Sequence, residues 1–176
     1  MNKPFTSLRG QKELYQLLDQ LQITFDYYEH PPAPTIEEAK KYWKDIEAIH
    51  CKNLFFRNHK GNQHYLVVID HRYELNIHDL ERRLKQGKLS FASEARMEKY
   101  LGVKPGSVSP LALINDREKH VFVFLDENLR HARKISFHPN DNTASIVMLF
   151  PDFIKFLNFV GNKYEFISLY QAIQAN

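Results

Sequence analysis

The sequence predicts an α+β domain built on a mixed sheet, and three observations lead to it. Short apolar runs of strand type alternate with amphipathic helical stretches. The alternation lacks the strict strand–helix–strand rhythm of a parallel sheet. At 176 residues the chain has the length of one domain, enough to bury a single sizeable core.

The elements follow in order along the chain. Between Ser7 and Leu21, the leucines at 8, 14, 17, 18 and 21 fall on one helical stripe. Phe25 to Glu29 reads as a short aromatic strand, stopped at His30-Pro31-Pro32 because consecutive prolines remove backbone donors and force an extended turn. Thr35-Ile36-Glu37-Glu38 has the form of a capping box, so a helix should start there and run to about Ile49. Cys51–Phe56 and Tyr65–Ile69 are apolar runs separated by a turn containing Lys60-Gly61-Asn62, which makes a hairpin. Asn76 to Leu84 reads as an amphipathic helix, and Ser93 is placed to cap another through Tyr100. Gly102 to Pro110 is irregular. Leu111–Ile114, Val121–Leu125 and Ser145–Leu149 read as buried strands, and Pro151 opens a final helix that Gly161 ends.

Composition narrows the class of protein. With 43% hydrophobic and 26% charged residues, 6 Gly and 8 Pro, the chain is an ordinary globular one without a long flexible linker. It shows no internal repeat or low-complexity segment, so residues 1–176 read as a single domain. The start, MNKPFTSLRGQKEL, lacks the apolar centre of a signal peptide, and no stretch is apolar for long enough to span a bilayer. The single cysteine, Cys51, excludes an internal disulfide and suits a reducing compartment, so a cytoplasmic location is expected. A net charge of +3 permits a polyanionic partner without requiring one.

The common catalytic signatures are absent: no Gly-x-Ser-x-Gly elbow, Walker loop, Gly-x-Gly-x-x-Gly or His-Glu-x-x-His occurs. None of the 9 histidines pairs with Cys or another His at zinc-site spacing, so no metal is expected. Cys51 opens an apolar strand and reads as a small core residue rather than a nucleophile. In that strand Lys52, Leu54 and Phe56 share one face, and Asn53 and Phe55 the other. A lysine there can offer its ammonium to a carbonyl or phosphate oxygen, although from this segment alone a solvent-facing lysine is the simpler reading. Gly106-Ser107-Val108-Ser109-Pro110 is either a plain turn or a cradle of backbone N–H groups able to stabilise an oxyanion or orient a water. His138 and His30 each precede proline, and each is open between a proton carrier and a turn residue. Arg57, His59 and Lys60 read as a solvated hairpin tip, with contact to phosphates as the alternative.

Taken together and in order, these segments resemble one family. The matching residues are Glu29-His30-Pro31, Thr35 with Glu37-Glu38-Ala39, Lys52-Asn53-Leu54-Phe55, Leu89-Ser90-Phe91-Ala92-Ser93, Gly102 through Pro110, Ile114-Asn115-Asp116, and Phe137-His138-Pro139 with Asn142-Thr143. They are similar to the YbaK and prolyl-tRNA synthetase-associated editing domains, and within them to the free-standing prolyl-tRNA deacylases called ProX or PrdX. The resemblance runs from about Leu14 to Tyr164.

It implies a mixed, partly barrel-like sheet flanked by helices. It also implies metal- and cofactor-independent hydrolysis of the ester joining an amino acid to the terminal adenosine of tRNA, with alanine on tRNA(Pro) as the expected substrate. Cysteine or serine as the misattached residue, or a non-catalytic module binding an aminoacyl end or a synthetase, are the alternatives. The implied partner is the acceptor end of tRNA(Pro), with prolyl-tRNA synthetase a candidate second one and neither DNA nor membrane expected. Lys52 takes the catalytic position, and Gly106 to Pro110 a wall of the pocket. Asn53, His138 and Asn142 are candidates for holding the α-amino group, the ribose or the loop, beside His30, with Ile36 and Val108 setting pocket size. Phe56 stands where the family motif expects leucine or valine, a departure that bears on pocket size.

Overall fold

A computed structural model describes residues 7–169; the first six residues of the stretch read as lacking a signal peptide lie outside them. In chain order the elements are α1 (Lys12–Gln20), β1 (Phe25–Glu29), α2 (Ile36–Trp43), β2 (Ile49–Arg57), β3 (His64–Asp70), α3 (Ile77–Leu84), β4 (Ser90–Phe91), α4 (Glu94–Leu101), β5 (Val121–Asp126), β6 (Lys134–Phe137), β7 (Ala144–Leu149), α5 (Phe150–Val160) and β8 (Tyr164–Ile167). Among these residues the eight strands form one mixed sheet in the order β1-β7-β6-β2-β3-β5-β8, with β4 paired to β2 off that path. The β2–β3 hairpin is antiparallel, whereas β2–β6, β3–β5 and β5–β8 are parallel. The α+β class and the mixed sheet flanked by helices are therefore those expected. No helix among the described residues is long and apolar enough to cross a membrane.

Two apolar layers sandwich the centre of the sheet, and every residue of β3 is buried as a result. The larger core joins α1 (Leu14, Tyr15, Leu18) and α5 (Phe153, Phe156, Leu157) to Phe55, Leu66, Val123 and Ile146. A smaller core under α3 gathers Leu80 with Phe56, Tyr65, Val67, Ile69 and Phe124.

Local chemistry explains where several elements begin and end. The Thr35 hydroxyl accepts from Glu38 N–H, and the Glu38 carboxylate accepts from Thr35 N–H, so the capping box forms as expected. Asn76 caps α3 through Asp79 N–H. Gly161 ends α5 in the left-handed region at φ 77°.

Four expectations need correction. The first helix starts at Lys12 rather than Ser7, because Gly10 adopts φ +105° where the chain turns against Pro139, and Gln11 N–H donates to Pro139 O. Helix α2 stops at Trp43 rather than near Ile49, since Ile49 is taken by parallel pairing with Ile135 in β6. Pro110–Asn115, which contains the run Leu111–Ile114, is a 3-10 helix and not a strand. The Ser109 hydroxyl accepts from Leu111 N–H at its start, and a short buried apolar run carries no periodicity to tell the two apart. Ser93 occupies the N-cap of α4 but makes no side-chain cap bond. The short strands β4 and β8 are not among the predicted elements.

Several histidines are buried in the neutral form. Arg96 donates to His64 Nε2 at 2.8 Å, so His64 Nδ1 carries the proton and donates to His120 Nε2, also at 2.8 Å. His50 lies under the Trp43 ring at 4.3 Å. Burial lowers both His50 and His64 from the ordinary 6.5 to about 4. Between those values the unfolded chain binds protons that the folded chain does not, so stability falls as pH falls from about 6.5 towards 4. We expect the urea midpoint to drop between pH 7 and pH 4.5, and His50→Phe to flatten that drop. A midpoint independent of pH would contradict this account.

Candidate active site

Strand β2 gives one whole edge to β3 and divides the other. On that second edge β6 covers Ile49 and His50, and β4 covers Phe56 and Arg57. Between them residues 51–54 run along an open edge about 10 Å long at the usual strand rise, and Phe55 is met by Ala92. A cavity of about 280 Å³ fills this gap, walled by Cys51–Phe55, by Ala33–Ile36 with Ala39 and Trp43 of α2, by Phe91 and Met97, and by Pro105, Gly106, Val108 and His138. A larger concavity of about 480 Å³, between Ile46–Ile49 and His131–Lys134, contains none of the residues singled out from sequence.

The phase of the ladder decides which backbone groups face the gap. Asn58 N–H donates to Gln63 O, and His71 N–H to His50 O, so the even-numbered residues of β2 turn their amides towards β3. Cys51, Asn53 and Phe55 turn theirs to the other edge. Ala92 N–H accordingly bonds the Phe55 carbonyl at 2.8 Å, which leaves Asn53 facing the cavity.

Side chains add the remaining polar groups. Lys52 Nζ donates to Tyr73 O at 3.1 Å and to the Glu74 carboxylate at 2.6 Å. An ammonium has three donors, so a third is left beyond these two. The lysine side chain is 15% exposed and its glutamate partner 92%, so the glutamate can leave the lysine for water at little cost. Asn53 Nδ2 donates to Val108 O at 3.2 Å, which aims Oδ1 the other way. That oxygen is buried and has no hydrogen-bond partner among the described residues. His138 Nδ1 bonds Ala144 O at 2.9 Å, so Nε2 is the unprotonated nitrogen, and burial lowers the pKa of the ring. Burial raises the Cys51 thiol well above its ordinary value, which keeps it in the poorly nucleophilic protonated form.

Of the positions singled out from sequence, Lys52, Asn53, Ile36, Gly106, Val108 and His138 meet at this cavity. The others stand behind its walls. His30 bonds Pro31 O and the Ser145 hydroxyl, and stacks under Tyr42 at 5.2 Å. The Asn142 carbonyl accepts from Ala33 N–H, bracing the segment that leads into α2. Ser107 N–H is committed to Lys104 O and the Ser109 hydroxyl to Leu111 N–H, while Pro110 starts the buried 3-10 helix; Val108 and Ser109 supply the N–H groups left for a cradle. Gly106, at φ +84°, lets the loop press on Pro34: a Cβ there would lie 3.0 Å from Pro34 Cα. Phe56 is fully buried in the smaller core and does not line the cavity, so it touches the site only through Phe91.

Sequence reasoning missed Pro34, Trp43, Met97 and the Tyr73–Glu74 pair. The prolines after His30 signalled a rigid approach to α2, but nothing local marks Glu74 as a partner of Lys52. Among the described residues, no group of three or more His, Cys, Asp or Glu is arranged to hold a metal ion.

Comparison with known proteins identifies the family of the chain. The aminoacyl-tRNA editing domain family matches residues 30–156. The chain is 42% identical, over 86% of its length and 93% of the relative's, to a prolyl-tRNA editing protein ProX from Acetoanaerobium sticklandii. It is 34% identical to the prolyl-tRNA synthetase associated domain-containing protein 1 of Mus musculus, over 85% of this chain and 90% of that one. Its fold superposes with a TM-score of 0.64 and 18% identity on a structure described as a candidate trans-editing enzyme for prolyl tRNA synthetase, covering 96% of this chain and 99% of the other. The chain belongs to the aminoacyl-tRNA editing domain family and is an aminoacyl-tRNA hydrolase.

Proposed function

We propose that this protein is a trans-editing deacylase of mischarged tRNA(Pro), that alanine is the amino acid it removes, and that it acts in the cytoplasm as a single editing domain. Its partner is the acceptor end of tRNA(Pro), and prolyl-tRNA synthetase is the enzyme whose errors it corrects. The observation that carries this reading is the cavity on the open edge of β2, which Lys52 and Asn53 both line.

The chemistry asked of these groups is modest, because an aminoacyl ester is already activated. Water, or a water oriented by the neighbouring ribose hydroxyl, attacks the carbonyl carbon, and negative charge develops on the carbonyl oxygen. The third donor of Lys52 and the Asn53 backbone N–H face the gap in which that charge forms. The bond from carbon to the ribose oxygen then breaks, that oxygen takes a proton to become a hydroxyl, and the free amino acid leaves. The Asn53 Oδ1 accepts from the substrate's α-ammonium. Val108 and Ile36 limit the space for the side chain, with the unprotonated Nε2 of His138 as a neutral acceptor on the far wall.

Size explains why alanine fits the role. A synthetase pocket built for proline gains only about 1–3 kcal/mol against a residue smaller by a methylene. A second site whose side-chain space is bounded by Val108 and Ile36, with Gly106 held against Pro34, excludes the larger ring by overlap where the first site cannot.

Purified protein should hydrolyse Ala-tRNA(Pro) faster than Pro-, Cys- or Ser-charged controls. Equal rates on all four, or preference for cysteine or serine, would move the substrate, and no hydrolysis at all would favour a binding module. Lys52→Ala should lower single-turnover deacylation at least about 100-fold, the usual worth of one oxyanion donor, with the melting temperature unchanged. A folded, fully active variant would remove Lys52 from the mechanism. Asn53→Ala keeps the backbone N–H and loses the side-chain acceptor, so kcat/KM should fall about 10- to 100-fold, the range for a hydrogen bond to a charged group.

A further inference from the structure

Phe91 is 59% exposed, unusual for a large aromatic side chain set against a sheet. It sits on β4 directly opposite Phe56 of β2. One ring face stacks on Phe56, with centroids 4.7 Å apart and planes 25° from parallel. Phe56 is fully buried in the smaller core, so the platform under Phe91 is fixed. The other exposed large apolar side chains among the described residues, Tyr28, Tyr42, Leu149 and Phe159, lie off the cavity, and Phe91 alone of this set lines it.

The register relates Phe91 to the reacting end of the site. Directly paired residues point to the same face of a sheet, and alternate residues of a strand do likewise. Phe91, Phe56, Leu54 and Lys52 therefore share one face, with Lys52 and Phe56 about 13 Å apart along the strand. Both Lys52 and Phe91 border the same cavity. A substrate whose ester carbonyl meets Lys52 carries on its ester oxygen a ribose, and on the ribose a flat, uncharged base that must rest somewhere on the rim.

We propose that the free face of Phe91 is the stacking platform for the base of the substrate's terminal adenosine. The inference rests on the deacylase reading above and adds to it the seat of the nucleoside. Stacking uses the π-face that every base has, so this seat supplies affinity and orientation and leaves tRNA identity to be read elsewhere. The Phe56 side chain, the departure from the family motif, then acts at one remove: it is the surface on which the platform lies.

The test is a cycle in which protein and substrate are changed separately and together. Alanine esters of short acceptor-stem oligonucleotides are prepared ending either in adenosine or in the same ribose without its base. Wild-type protein should lose about 5- to 150-fold in kcat/KM when the base is removed, mostly through KM. Phe91→Ala should lose a similar factor on the intact substrate and little more on the baseless one, because the two changes delete the same contact. Phe91→Trp should keep the preference for the base, whereas Phe91→Leu, which still covers Phe56, should lose it. If the two losses multiply independently, or if Phe91→Leu retains the full preference, the platform is overturned while the deacylase reading stands. A wild-type protein inactive on both substrates overturns the two together.

Discussion

The site depends on one constraint, the unequal sharing of β2 between its neighbours. A strand has two hydrogen-bonding edges, and β3 takes one of them from Cys51 to Arg57. The other is held at its two ends by β6 and β4 and left open between them. Open strand edges are usually blunted or covered, since they offer unpaired amides to any passing chain. Here the gap is too short to admit another strand of useful length, and α2, the 105–108 loop and His138 close over it. The result is a cavity whose floor is backbone, with amide direction set by ladder phase rather than by side-chain choice.

That arrangement separates duties between the two faces of β2. Lys52 leans to the side of the smaller core, where the Tyr73 carbonyl and the Glu74 carboxylate hold its ammonium. Asn53 leans to the side of the larger core, tied by its amide nitrogen to the Val108 carbonyl. At the open edge the two adjacent side chains, which alternation would send to opposite sides of a continuous sheet, border one space. A buried acceptor without a protein partner is costly to keep, typically about 1–3 kcal/mol, and such a group is expected where a ligand donor will arrive.

The wall opposite β2 is held by close backbone packing. The Gly106 conformation and its approach to Pro34 bring the loop after α4 against the segment before α2, and the Asn142 carbonyl ties that segment to the turn after β6. His30 adds a further brace beneath Tyr42. Several residues singled out from sequence as substrate contacts therefore sit in the supporting structure, one layer behind the cavity surface. A motif reports that a residue type is required at a place; it does not separate touching the substrate from holding the residue that does.

The sequence by itself determined the elements whose cause is local. The capping box at Thr35, the hairpin from Cys51 to Ile69, the proline stop after β1 and the glycine end of α5 all form, because a few neighbouring residues suffice to specify them. The order of weak motifs also carried Lys52 and the Gly106 loop to one site. Only the tertiary structure decided the rest. Leu111–Ile114 became part of a 3-10 helix, Ile49 was drawn from a helix into a strand, and β4 and β8 formed as strand edges found partners distant in sequence. The same holds for the Lys52–Glu74 pair, 22 residues apart, and for the contact of Phe91 with Phe56. Which edge of β2 stays open is a property of the pairing of β2 with β3, β4 and β6, and no residue on β2 encodes it alone.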